Sequence, residues 1–317
     1  MTDRRRVNGP AGGTQPLVPV PLPTHRTQRS RRPDQLRNIF LHTGTIPAAS
    51  GSAYYELEAP SQASTSPQPR VKLSCAVHGP KPLTRNASFS PNLQLSAAVK
   101  YAPFATRLRR GYIRDSTERD LGIHLENALK GLIIPDRWPK SSIEVSVLVL
   151  EGEDNEDLIS GQPLGSVAGQ IGLMNILAGC ITVATAALLD AKIDCLDVMA
   201  GGVAAVVAMN GAEEKILDPS PAEHEYMRSA CVVGYLPNRD EVTEVWTTGA
   251  IMEQGNDGNK FDDVVDSAVS AAKATASILM EVLIESAKTH IKTSSSEANS
   301  IPKSKRQSTM NDIEMKT

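Results

Sequence analysis

From Leu158 to Leu189 the chain carries no Asp, Glu, Lys or Arg. The densest part, "IGLMNILAGCITVATAALLDAKID" (Ile171–Asp194), has no charge until Asp190. Such a run is a membrane span, the floor of a binding site, or a helix buried in a water-soluble domain. Its length is near the minimum of about 17–25 residues for a span. Its composition points elsewhere. Asn175, Thr182, Thr185, Gly172 and Gly179 interrupt it, acidic "EGEDNED" lies upstream, and no basic anchor flanks it. The expectation is therefore a central helix packed beneath a sheet. "SGQPLGSVAGQIG" reads as loop, which places the helix start near Ala178. Small residues from Ala178 to Ala187 allow close approach on every side. A helix start containing glycine also exposes amides that can hold an anion, so "AGC" leaves close packing and phosphate binding both open.

The remaining body reads as strands and two more helices. "SAYYELE" and "RVKLSCAV" alternate polar and apolar as half-buried strands do, and "APSQASTSPQP" joins them as a projecting loop. "LQLSAAVKYAPF" and "SIEVSVLVLEG" are further strands. "DCLDVMA", "GVAAVVAMN", "SACVVGYLP" and "EVTEVWTTG" follow closely enough to pair antiparallel. A helix is predicted from Asp115, which with Glu118 resembles a capping box; Leu121, Leu125, Ala128, Leu129 and Leu132 form its apolar face. "PDRWP" stops it. The last helix is predicted from Asp262 to His290, with its apolar stripe along Val265, Val269, Ala272, Ile278, Leu279, Val282 and Leu283.

Charge is distributed unevenly. The net charge is −3, yet the first 38 residues hold eight arginines against two aspartates. Residues 1–30 are expected to be a disordered basic tail, residues 31–290 one domain, and residues 291–317 a disordered polar tail. "RRR" and "KSKR" have the composition of nuclear-import signals. "EGEDNED" reads as an acidic surface insertion. Cys75, Cys180, Cys195 and Cys231 form no C-x-x-C pair and read as small buried hydrophobes in a reducing compartment. The six histidines show no metal-ligand spacing, so neither metal nor cofactor is expected. No apolar h-region follows the basic N-terminus, so no secretory signal is expected.

The order of these elements resembles the RNase PH family, which comprises phosphate-dependent exoribonucleases and the inactive relatives that build the exosome ring. "RPDQLRNIFLHTG" is similar to the family opening. "GSAYYEL", "VKLSCAVHGPKP", "VKYAPFA", "RRGYIRDSTERDLGIHLENALKGLI", "SIEVSVLVLEGE" and "ITVATAALLDAKI" then follow in family order, from Arg32 to His290. The resemblance implies an α+β, RNase PH-like (ribosomal protein S5 domain 2-like) fold. Mixed sheets would pack with a central buried helix and a C-terminal helix.

The departures shape the functional expectation. Active members carry a G-G-T-R-T-like segment whose Thr and Arg hold the attacking phosphate. The matching segment here is taken as Ala178–Thr182, with Cys180 at the Thr position and Ile181 at the Arg position. Of the two acidic positions that assist phosphorolysis, the first falls near Glu223 or His224. The second falls at Ser229 or Ala230. The resemblance therefore implies a non-catalytic subunit. Its partners would be other RNase PH-like exosome subunits in a six-membered ring, S1/KH-type cap subunits, hydrolytic exosome nucleases and single-stranded RNA, with no membrane. Its places would be nucleus, nucleolus and cytoplasm. Arg107, Arg109, Arg110 and Arg114 lie in the loop that faces the channel in this family, and are candidates for RNA phosphates; pairing with Asp115 or Glu118 is their alternative use. The rival reading is an active phosphate-dependent 3'-5' exoribonuclease using Glu223.

Overall fold

A computed structural model describes residues 29–59, 70–83, 90–106, 110–153, 167–209, 212–221, 227–249 and 258–300. Among these described residues, nine strands and three α-helices follow in the order β1 (Ile39–Thr43), β2 (Gly51–Leu57), β3 (Val71–Pro82), β4 (Gln94–Tyr101), α1 (Ser116–Leu132), β5 (Ser141–Glu151), α2 (Val167–Asp190), β6 (Ala200–Met209), β7 (Ala212–Leu217), β8 (Met227–Leu236), β9 (Glu241–Gly249) and α3 (Gly258–Ser300), with one 3-10 turn at Pro135–Arg137 between α1 and β5. They build two sheets. The first is ordered β1-β2-β3-β5-β4, with β4 parallel to β5 and its other pairs antiparallel. The second, β7-β6-β8-β9, is wholly antiparallel. This is the expected α+β architecture of mixed sheets with a central helix.

The uncharged run becomes the centre of the molecule. α2 packs on β2 and β3 of one sheet and on β6 and β8 of the other. Every residue from Met174 to Leu188 is buried, and 89% of its apolar window Gln170–Asp190 is enclosed by protein. A helix covered on both sides leaves no face for lipid. The second helix long and apolar enough to span a bilayer, α3 over Phe261–Thr289, is 33% buried and lies against β6 and β8.

α2 begins at Val167 and not near Ala178. The expectation failed because Gly, Ser and Gln act as loop signals in isolation, whereas Ile171, Met174, Ile176 and Leu177 supply buried contacts that carry the helix backwards. Tertiary burial outweighs propensity terms of roughly 1 kcal/mol or less per residue. The small residues act as foreseen. A methyl on Gly201 of β6 would sit 2.4 Å from the Ala178 carbonyl oxygen, and one on Gly202 would sit 2.3 Å from that of Ala268. The backbone of β6 thus touches α2 on one side and α3 on the other.

α1 starts as expected. Asp115 and Glu118 complete a reciprocal capping box, and Leu121, Leu125, Ala128, Leu129 and Leu132 are buried. Glu118 does more than cap: it also accepts from the Tyr101 amide at 3.0 Å and from Lys100 Nζ at 2.8 Å, tying α1 to the end of β4. On the far side of α1, His124 stacks on Trp246 with centroids 4.9 Å apart and contacts Glu244 through Nδ1 at 2.6 Å.

Other elements also differ from the sequence reading. β4 ends at Tyr101, before Pro103 and the exposed Phe104. "DCLDVMA" forms no strand. Asp197 instead accepts from the Val198 amide and from both nitrogens of Asn238, leaving only Cys195 bridged to Ile133. β1 and β7 were not anticipated as strands. α3 runs from Gly258 to Ser300, beyond both ends of the expected Asp262–His290 helix and past the position where the polar tail was placed. Residues 1–28 and 301–317, parts of both expected tails, lie outside the described residues, as does the acidic stretch from Asp154. Arg29, assigned to the basic tail, joins the body: its guanidinium donates to the carbonyls of Leu217 at 2.9 Å and Asp218 at 3.2 Å.

Candidate functional site

Two places bear on function: the charged centre beside α2 and the basic loop between β4 and α1. The first is assembled from residues far apart in sequence. Arg37, 3% exposed, precedes β1; Glu153, 2% exposed, follows β5; Asn175 lies on α2; Asp218 follows β7. The Arg37 guanidinium donates to Asp218 Oδ2 from Nε at 2.8 Å and to Oδ1 from Nη2 at 2.7 Å, while the Arg37 amide donates to Oδ2 at 2.9 Å. Its Nη1 pairs with Glu153 Oε1. Arg31 adds a second cation, Nη1 to Asp218 Oδ2 at 2.9 Å. Asn175 Nδ2 donates to Glu153 Oε2 and to the Pro219 carbonyl, each at 2.8 Å.

The charges in this cluster satisfy one another. Burial alone would raise the Asp218 carboxyl, but the Arg37 charge and hydrogen bonds, with Arg31, hold it well below the usual carboxylate range. Burial would also favour neutral Arg37, and the Asp218 and Glu153 charges reverse that and push its value up. Both groups stay ionised, and Arg37 spends its donors on two carboxylates. A small cleft beside it is lined by Arg37, Asn175, Ala178, Gly201 and Asp218. Glu153 corrects the reading of "EGEDNED" as a surface insertion: its third residue is buried because Arg37 needs a second counter-charge.

The sequence-derived phosphate positions lie deeper. Cys180 and Ile181 are 0% exposed in the middle of α2, where their amides belong to the helix ladder. The segment is no helix start, so the anion alternative for "AGC" is withdrawn. Gly179 is there for packing; a methyl on it would meet Leu73 Cδ1 at 2.7 Å and Tyr55 Cε1 at 3.0 Å. Ser229 is buried in β8, paired with Val206 and Gly249. Glu223 lies outside the described residues. Burial pushes the Cys195 and Cys231 thiols up to about 12, and Cys75 and Cys180 higher still, so all four remain protonated at neutral pH. Among the described residues no three His, Cys, Asp or Glu side chains gather as metal ligands.

Among the described residues of the basic loop, Gly111 to Ser116 are exposed. Arg107 and Arg109 lie outside the described residues. Arg110 rests over the Tyr101 ring at 4.4 Å and donates to Asp115 at 3.4 Å and Thr117 at 3.5 Å, the local pairing considered as its alternative. Arg114 is exposed. Two features here were missed in the sequence. Lys100 Nζ donates to the carbonyls of Gly111 and Ile113, each at 3.3 Å, and Phe104, Tyr112 and Ile113 are 74%, 79% and 60% exposed.

Comparison with known proteins fits this geometry. The family model described as "3' exoribonuclease family, domain 1" (RNase_PH) matches residues 35–194. The protein named exosome complex component MTR3 in Chaetomium thermophilum is 47% identical over 290 residues, covering 90% of this chain and 99% of that one. The component named mtr3 in Schizosaccharomyces pombe is 27% identical over 286 residues, and human MTR3 is 26% identical over 299 residues. Each alignment covers 90% of this chain and 96% of the relative. The crystal structure of rice (Oryza sativa) Rrp46 has the same fold at a TM-score of 0.56. Its sequence identity is 20%, over 79% of this chain and 97% of that one.

Proposed function

Because the chain belongs to the RNase PH family of 3' exoribonucleases, we propose that it is a non-catalytic subunit of an RNA exosome ring, holding its place among other RNase PH-like chains. The observation that carries this is the likeness along nearly its whole length to a protein named exosome complex component MTR3. The charged centre supports the non-catalytic part. Arg37 is consumed by Asp218 and Glu153, Ile181 is apolar and enclosed, and Ser229 carries no charge. A phosphorolytic site needs a free cation or free amides for its phosphate, and a carboxylate for proton or metal work.

On this reading the ring has six members with S1/KH-type caps on one face, and it passes single-stranded RNA to hydrolytic nucleases in the nucleus, nucleolus and cytoplasm. The arginine-bearing loop, including Arg107, Arg109, Arg110 and Arg114, faces the RNA path and supplies phosphate contacts, which need only positive charge and reach. Affinity purification of the full chain tests the assembly: five other RNase PH-like chains in near-equal amounts are expected, and recovery of the chain alone overturns it. Incubating the pure chain with labelled RNA, phosphate and Mg²⁺ tests catalysis. Release of nucleoside diphosphates would instead establish the active exoribonuclease.

A further inference from the structure

The loop between β4 and α1 presents an aromatic ring in a way that electrostatics alone does not require. Tyr112 is 79% exposed, and its neighbours in the chain are not loose. Lys100 Nζ grips the carbonyls of Gly111 and Ile113, the residues on either side of it, each at 3.3 Å. The same ammonium is anchored to the buried Glu118 at 2.8 Å. Glu118 is fixed in turn by the Tyr101 amide and the Asp115 amide, both at 3.0 Å. A chain of polar contacts thus runs from the interior to the two peptide groups flanking Tyr112. It holds them while the ring points to water.

A single exposed ring is ordinary on a protein surface, but Tyr112, Ile113 and Phe104 expose three large apolar side chains in one loop, which marks it as a place for a ligand. The surroundings indicate which. Ile113 follows Tyr112 directly and Arg114 lies two residues on, both exposed, while Arg110, two residues back, is stacked on Tyr101 and paired with Asp115. Cations interleaved with aromatic faces suit a strand of negative phosphates and flat, unpaired bases. We propose that Tyr112 is a base-stacking residue for single-stranded RNA, with Arg114 as its phosphate contact. Pre-fixing the peptide groups lowers the ordering cost of binding. The inference rests on the RNA-guiding reading above, but it concerns a different property: bases as well as phosphates are touched.

The test uses the full chain within the complex with which it co-purifies. Single-stranded RNA carrying 2-aminopurine at successive positions is titrated, and fluorescence quenching reports stacking. Wild type and Tyr112→Phe are expected to quench at one or more positions with similar affinity. Tyr112→Ala is expected to lose that quenching and to bind about five- to tenfold more weakly, at the low end for one stacked base. Arg114→Ala should weaken all sequences alike and flatten the salt dependence by about one phosphate contact. Unchanged quenching and affinity in Tyr112→Ala overturn the stacking role while leaving the ring assignment intact. Loss of a protein partner by Tyr112→Ala, with RNA binding of the remaining complex unchanged, makes the loop a protein interface and also overturns it. If no RNase PH-like partners co-purify, the ring reading fails, and the same titration on the chain alone decides the stacking.

Discussion

Arg37 and Asp218, 181 residues apart in sequence, share two side-chain hydrogen bonds between opposite charges, Nε to Oδ2 at 2.8 Å and Nη2 to Oδ1 at 2.7 Å. The pair joins the segment before β1 to the turn after β7, and so closes the N-terminal part of the chain onto its second sheet.

Breaking that pair leaves Arg37 charged and enclosed. Because Glu153 still pairs with Arg37, Asp218→Asn is expected to cost about 3 kcal/mol at pH 7, the low end of the range for a buried pair that loses one partner. Asp218 has a folded value below its unfolded one of about 3.9. Its contribution is therefore complete above that unfolded value and is lost as pH falls through the folded one. Urea melts of the wild type should show this carboxylate's contribution fading below about pH 4. The same series on Asp218→Asn should start lower and lack that acid component.

Gly201→Ala places a methyl 2.4 Å from the Ala178 carbonyl oxygen and 2.5 Å from its Cα, backbone atoms that cannot turn away. A loss of about 3 kcal/mol or more is expected, at the upper end for overpacked cores. Gly111→Ala meets nothing within 4 Å and should stay within about 0.5 kcal/mol of wild type. Thermal melts of the two variants side by side check the contrast.

Asp115→Ala removes one half of the capping box and should cost about 1 kcal/mol. Glu118→Ala removes the other half together with the acceptor for Tyr101 and Lys100, so it is expected to cost clearly more. Denaturant midpoints with unchanged slopes would measure both.

Ile181→Arg puts a guanidinium into the middle of α2 with no counter-ion. It is expected to unfold or aggregate the chain by circular dichroism and light scattering, and to release no nucleoside diphosphate from RNA. A folded Ile181→Arg chain that phosphorolyses RNA would mean that the segment holds a phosphate site after all.

The elements with internal periodicity were legible. The α1 cap and stripe, the alternating strands β2, β3 and β5 and the central placement of α2 all follow from nearest neighbours along the chain. What escaped depends on distant partners. Arg37 looks like any arginine in a basic opening, Glu153 like part of an acidic surface run, and Asp218 like half of a short motif. Only folding brings them within hydrogen-bond distance. The start of α2 escaped because Gly169 and Gln170, close behind Val167, carry loop signals of their own. The apolar partners that override those signals lie on other strands. Tyr112 escaped because exposure and the Lys100 grip are properties of the loop's shape, not of its spelling.

Gly201 and Gly202 leave no side-chain layer between β6 and the helices on its two sides. Side chains act as the compliant filling of most protein interiors, changing rotamer to let neighbouring layers slide. Here the contacts with Ala178 and Ala268 are backbone against backbone, and sliding in either direction meets a hard wall. α2, β6 and α3 therefore behave as a single laminate whose thickness is set by covalent geometry. The dimension it fixes, across the molecule from one sheet to the outermost helix, is insensitive to the identity of most side chains around it.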